Sequence, residues 1–205
     1  LQHLTGRRDL RVHSDAVTDG LVDLLDAGVV RDEPGAVVAS MAVGTKRLFD
    51  RLDSPRVDFC PIEKVCGLRA LTSVDRMVSV TQAFAVDLTG QVCADSDNGE
   101  LYGGVAAQPV MHYAAAHSPG GRAVVCLGTT FPDGSSRIRA VLGPEEAVAI
   151  PRADVHYVTT EFGTAYLFGR SLRDRAIALI EVAHPSHRAA LLSSAVSLGL
   201  VPEGQ

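Results

Sequence analysis

The chain reads as an α/β domain: a mixed, largely parallel sheet flanked by helices. Short apolar, β-branched runs alternate with amphipathic helical segments along all 205 residues, the pattern of strands joined by crossover helices. Stretches rich in Gly, Pro, Asp and Ser fall between these segments rather than inside them, as connections should. The length suits one domain with a sizeable core.

In chain order, Asp19 is placed to accept the first amide protons of a helix over 20–27, which Gly28 can close in the left-handed region. A strand is predicted over 36–41, a helix over 45–52, and strands over 57–60 and 77–86. Residues 85–96, Ala-Val-Asp-Leu-Thr-Gly-Gln-Val-Cys-Ala-Asp-Ser, form a hairpin: an apolar approach, an Asp, a Thr-Gly turn and a second extended run at 91–94. The loop over 95–104 reads as exposed and mobile. A helix over 110–117 ends at Ser118-Pro119-Gly120-Gly121, a loop constraint ahead of a strand over 123–127. A second exposed, mobile loop covers 131–136, followed by strands over 138–141, 155–159 and 165–168. Ser171 with Asp174 makes a capping-box variant for a helix over 172–182, and Pro185 separates it from a last helix over 186–197. There is no internal repeat and no low-complexity segment.

Composition removes several function classes. A net charge of −5 gives no basic face for nucleic acid. No apolar run approaches the roughly 18 residues of a membrane helix, and no signal peptide is visible. Cys60, Cys66, Cys93 and Cys126 lack Cys-x-x-Cys spacing and sit among apolar neighbours, which reads as buried reduced thiols in a cytoplasmic protein. With no Trp and few aromatics, a base- or sugar-stacking surface is disfavoured. No metal site is expected: Glu181, His184 and His187 have helix-like spacing, but Pro185 interrupts it. Gly128-Thr129-Thr130 lacks the Gly-Lys-Ser/Thr of a phosphate loop. His112 and His117 flank an alanine run and read as packing or surface residues.

Four segments carry candidate chemistry, and each has a plain reading. In His13-Ser14-Asp15 the Ser and Asp can simply cap a turn. Thr81, within Val78–Ala85, is a strand residue of high β propensity. Gly104-Val105-Ala106-Ala107-Gln108 can begin the following helix. Glu161, after Tyr157-Val158-Thr159-Thr160, is either a solvated loop charge or a group at a strand end, where α/β proteins place their binding residues.

Taken together, His13-Ser14-Asp15, the 85–96 hairpin, 102–108 and 157–163 resemble the carboxyl-terminal domain of the acetyl-CoA hydrolase/CoA-transferase family, in order and from His13 to about Ala195. The resemblance implies a CoA-transferase-superfamily fold. It also implies transfer of coenzyme A between carboxylic acids through an enzyme-bound carboxylate thioester, or hydrolysis of that thioester. Coenzyme A is then a substrate and no cofactor is required. The family's catalytic Glu falls at Asp15, one methylene shorter, so its oxygen falls short by roughly 1 Å, a misplacement that can cost about a hundredfold in rate. The family's active-site Asn falls at Thr81, which keeps a hydroxyl and loses an amide. Its Gly-Val-Gly-Gly-Gln, whose backbone lies against the thioester, falls at Gly104, Val105, Ala106, Ala107 and Gln108, where the alanines favour ordinary backbone angles. Its active-site Glu falls at Glu161. Arg170, Arg173 and Arg175 are expected to be structural, as fixed partners for carboxylates around the helix start, with a CoA phosphate as the alternative partner for an Arg. Four substitutions in one pocket (Asp15, Thr81, Ala106, Ala107) point to changed or lost chemistry: a divergent acyl transfer, or a non-catalytic CoA-binding or assembly subunit. Family members carry an amino-terminal domain ahead of this region, so the 205 residues are expected to be one half of a larger protein or a stand-alone half. The expected partners are acyl-CoA, small carboxylic acids, that domain in the same or another chain, and further copies of the chain.

Overall fold

The computed structural model describes residues 2–202. The chain divides into two compact units, residues 1–71 and 72–205.

In the first unit, β1 (Val12–His13) is followed by β2 (Ala16–Val17), α1 (Gly20–Asp26), β3 (Val37–Ala39), β4 (Met41–Ala42), α2 (Lys46–Phe49), β5 (Val57–Phe59) and α3 (Ile62–Val65). Its strands pair in parallel, β1 with β3, β3 with β5 and β2 with β4. Leu21, Val22, Leu24 and Leu25 of α1 pack with Val37 and Ala39 into a core closed by Leu48. Gly28 takes φ +66°, as predicted for the end of α1. Asp19 behaves differently from the prediction. Its own backbone is already helical (φ −52°, ψ −28°), and the amide of Leu21 donates to the Thr18 carbonyl. Its carboxylate instead accepts from the Thr45 amide and, at 2.8 Å, the Thr45 hydroxyl, which fixes the residue preceding α2.

A helical turn, α4 (Leu68–Thr72), leads into the second unit. There follow β6 (Val78–Gln82), β7 (Ala85–Asp87), β8 (Val92–Cys93), β9 (Ser96–Asp97), β10 (Glu100–Leu101), α5 (Gln108–His117), β11 (Arg122–Cys126), β12 (Ile138–Arg139), β13 (Tyr157–Thr160), β14 (Gly163–Tyr166), α6 (Leu172–Glu181) and α7 (Pro185–Ser197). Among the described residues the main sheet has the order β14-β13-β11-β6, with β6, β11 and β13 parallel and β14 antiparallel. This is the mixed, largely parallel arrangement expected, distributed over several small sheets. Ser79, Thr81, Ala123, Val125, Val158 and Ala165 share its buried face. α5 packs on β6 and β11, and α6 packs on β14 and α7.

The run read as one strand over 77–86 is two. Ala83 still donates to the Cys126 carbonyl of the main sheet, whereas Phe84 donates to the Cys93 carbonyl, so the chain changes sheets between them. β7 then pairs antiparallel with β8 and parallel with β12. The loop over 95–104 holds a further hairpin, β9–β10, turned by Asn98 and Gly99 at φ +53° and +88°, the two positive values of a tight hairpin turn. Ser171 caps α6 as predicted, accepting from the Asp174 amide. Arg175 does not meet a carboxylate. It is buried and donates to the main-chain carbonyls of Thr89, Arg152 and Arg170.

Ser118-Pro119-Gly120-Gly121 is a constrained loop. The Ser118 hydroxyl donates to the Val74 carbonyl and accepts from the Met77 amide. A methyl on Gly121 would overlap the Ala115 carbonyl oxygen and lie 3.0 Å from that of Met77, while one on Gly128 would meet nothing within 4 Å. Gly121→Ala should therefore cost about 2–3 kcal/mol in urea unfolding, the range for overpacking a closed site. Gly128→Ala should stay within about 0.5 kcal/mol of the parent.

Candidate functional site

In the first unit, Ser14 and Asp15 occupy the break between two parallel ladders, just past the carboxyl end of β1. The Asp15 carbonyl accepts from the amides of Ser40 and Met41, both at 3.0 Å. One carboxylate oxygen, Oδ1, accepts from the Ala16 amide at 2.9 Å and more weakly from the Ser14 hydroxyl at 3.4 Å. Asp15 is half-buried. The local turn uses Oδ1, and Oδ2 has no hydrogen-bond partner among the described residues. Alongside, His13 donates through Nε2 to the Val65 carbonyl at 2.7 Å. Burial, then the Asp15 charge, push the Cys66 thiol up, so it stays protonated beside the carboxylate.

In the second unit, Gln82, Cys126 and Thr159 lie in register and mark the carboxyl edge of the parallel strands. Binding groups gather at this edge in α/β sheets. Glu161 follows β13 there. Its carboxylate accepts from the Thr129 amide at 3.1 Å and from the Thr129 hydroxyl. Desolvation raises the Glu161 carboxyl, but the Thr129 hydrogen bonds and the nearby His184 outweigh it, leaving the group below its ordinary value and ionised at neutral pH. Thr129 is fully buried, and its carbonyl accepts from the Arg137 amide. It is the positioning residue that the sequence reading passed over. Its signal was the Gly-Thr-Thr closing an apolar run, dismissed as a poor phosphate loop although it serves a carboxylate.

Thr81 lies one residue before the edge, on the buried face, with its hydroxyl 3.5 Å from the Val124 carbonyl. The 102–108 segment reaches the same edge through Tyr102, whose ring is 5.2 Å from that of Phe84. Gly104 and Ala106 are exposed, Val105 is half-buried, and Gln108 opens α5 with its Oε1 buried and unpartnered among the described residues. Ala107 takes the ordinary helical angles expected (φ −82°), but Ala106 does not. It holds φ +48°, a conformation natural to glycine. Ala106 therefore carries the strain of a left-handed residue bearing a Cβ. No group of three or more His, Cys, Asp or Glu among the described residues is arranged for a metal, and none of their helices is long and apolar enough to cross a membrane. All four cysteines are free, Cys60 and Cys93 buried and the other two half-buried.

Because Ala106 is exposed, its methyl contributes strain and little packing. Ala106→Gly should stabilise the protein by about 0.5–1 kcal/mol in urea unfolding. Destabilisation would show that the methyl is packed.

The comparisons fit this geometry. A 4-hydroxybutyrate coenzyme A transferase of Clostridium kluyveri is 36% identical over 200 residues, covering 94% of this chain and 47% of the relative. A succinyl-CoA:acetate/propanoyl-CoA:succinate CoA transferase of Fasciola hepatica is also 36% identical, over 95% of this chain and 42% of its own. The crystal structure of RipA from Yersinia pestis superposes with a TM-score of 0.84 at 30% identity, over 97% of this chain and 45% of that one. The chain thus spans about half the length of the curated relatives it matches. Residues 44–195 match the model of the acetyl-CoA hydrolase/transferase C-terminal domain, and with that match extending over most of its length the chain belongs to this family.

Proposed function

We propose that the chain supplies the nucleophile-bearing half of an enzyme that moves coenzyme A between carboxylic acids, with Asp15 as the nucleophile. The observation that carries this reading is the Asp15 carboxylate itself: half-buried at a strand end, with Oδ1 fixed by the Ala16 amide and Oδ2 without a hydrogen-bond partner among the described residues. The relatives' names supply the reaction class.

Covalent catalysis of this kind splits one acyl exchange into easier steps. A free Asp15 oxygen attacks the acyl carbon of an acyl-CoA, the carbon–sulfur bond breaks, and an acyl-aspartyl anhydride and CoA thiolate result. The thiolate attacks the aspartyl carbonyl, releasing the first acid and leaving an aspartyl-CoA thioester. A second acid reverses the sequence and leaves as its own CoA ester; water in its place gives hydrolysis. Coenzyme A is the substrate in both cases, and no cofactor enters. Glu161 (held ionised by Thr129), Thr81 and the 104–108 backbone are assigned to acyl-CoA binding by the second unit. The partners assigned are an amino-terminal domain like that of the longer relatives, acyl-CoA, small acids and further copies of the chain. Four free thiols suit a reducing, cytoplasmic compartment.

A second reading, altered acyl chemistry or binding alone, is favoured by the shorter Asp15 and the methyl at Ala106. A trapping experiment on the protein with its preceding half separates the two. Incubation with short acyl-CoAs and then borohydride should reduce Asp15 to the alcohol only when acyl-CoA is present, as read by peptide mass spectrometry. An unmodified Asp15 in a protein that binds coenzyme A would remove the covalent route. Asp15→Glu should raise transfer turnover by about tenfold to a hundredfold by restoring reach.

A further inference from the structure

At the middle of α5 sits a histidine that the candidate site does not use. His112 is 0% exposed, and neither ring nitrogen has a hydrogen-bond partner among the described residues. Buried polar atoms nearly always have one. A second imidazole, His156, stands just before β13. It is 7% exposed, and its Nε2 is likewise unpartnered. Its main chain is fixed on both sides, the amide donating to the Ala123 carbonyl and the carbonyl accepting from Leu167. Its ring lies 4.3 Å from that of Phe168. A buried imidazole on α5 and another at the start of β13 thus stand within electrostatic reach of each other.

The charged neighbourhood gives no counter-ion to His112. Its electrostatic neighbour is His156. His156 in turn feels Asp154, which favours its charged form, and His117 of α5 and Arg122 of β11, which oppose it. β6, the other strand packed on α5, carries no ionisable side chain.

We propose that His112 and His156 form an acid-sensitive lock between α5 and the sheet, closed while both imidazoles are neutral, so that acid loosens α5 and the 104–108 segment that enters it. Desolvation, then repulsion from His156, lowers His112 to about 4, and burial lowers His156 as well. A histidine held neutral in the fold contributes stability that is fully present above the ordinary value of about 6.5. That contribution is lost as pH falls from there toward the folded value. For a shift from 6.5 to about 4, linkage makes the α5 opening constant rise about twentyfold between pH 7 and pH 5.

Amide hydrogen exchange over residues 108–117, corrected for intrinsic rates, tests this without any ligand. The wild-type opening constant should rise about twentyfold from pH 7 to pH 5, beyond whatever rise His112→Leu shows. Equal pH dependence in the two proteins would overturn the proposal. Should His112→Leu not fold, the His112 ring carbon can be titrated by NMR in the wild type. The lock requires the ring to stay neutral well below pH 6, and an ordinary midpoint near 6.5 would refute it.

Discussion

A single buried carboxylate holds together the part of the chain most easily recognised. Asp87 is 2% exposed and accepts from four donors in its own turn: the Thr89 amide at 2.9 Å, the Thr89 hydroxyl at 2.7 Å, the Gln91 amide at 3.1 Å and the Gln91 side-chain amide at 3.2 Å. A buried charge survives only when its lone pairs are filled this way. Arg175, reaching from α6, donates to the Thr89 carbonyl and so fastens the turn to the helix layer. Gly90, at φ +93°, lets the backbone pass close beneath that guanidinium. The Asp-Leu-Thr-Gly-Gln sequence is thus a local device for closing β7 onto β8, and β7 pairs on its other side with β12.

This separates residues that identify the family from residues that suit its chemistry. Phe84 donates to the Cys93 carbonyl of the hairpin, so the chain leaves the main sheet after Ala83. Phe84, at that exit, meets Tyr102 and so anchors the 102–108 segment near the strand ends. Glu161 and Thr129 stand on the same edge. Asp15, Gly104, Val105, Ala106 and Glu161 are exposed or half-buried, whereas Asp87 and Arg175 are sealed.

Much of this was legible in the residues. The alternation of apolar runs and amphipathic segments gave the fold class, and Asp-Leu-Thr-Gly-Gln gave the hairpin, because both are local. The Asn98-Gly99 turn was equally local and was overlooked among other loop-forming residues. What could not be read depended on distant partners. The Asp19 carboxylate holds Thr45, 26 residues away, rather than the first amides of α1. Arg175 satisfies carbonyls rather than carboxylates because Thr89 and Arg152 are folded under it. Ala106 keeps a glycine's backbone angle against its own preference because the segment entering α5 is fixed at both ends, by the Phe84–Tyr102 contact and by the helix. Placing the residues of the candidate site on strand ends came from the resemblance. The Thr129 hydrogen bonds to Glu161, which no spacing encodes, needed the fold.

The most direct test of the division between scaffold and chemistry is the stability of Asp87→Asn. An asparagine of the same shape turns one acceptor oxygen into a donor facing donors, so urea unfolding should show a loss of roughly 2–4 kcal/mol. Coenzyme A turnover per folded molecule should remain near that of the parent. Unchanged stability with turnover abolished would contradict the account and put Asp87 among the reacting groups.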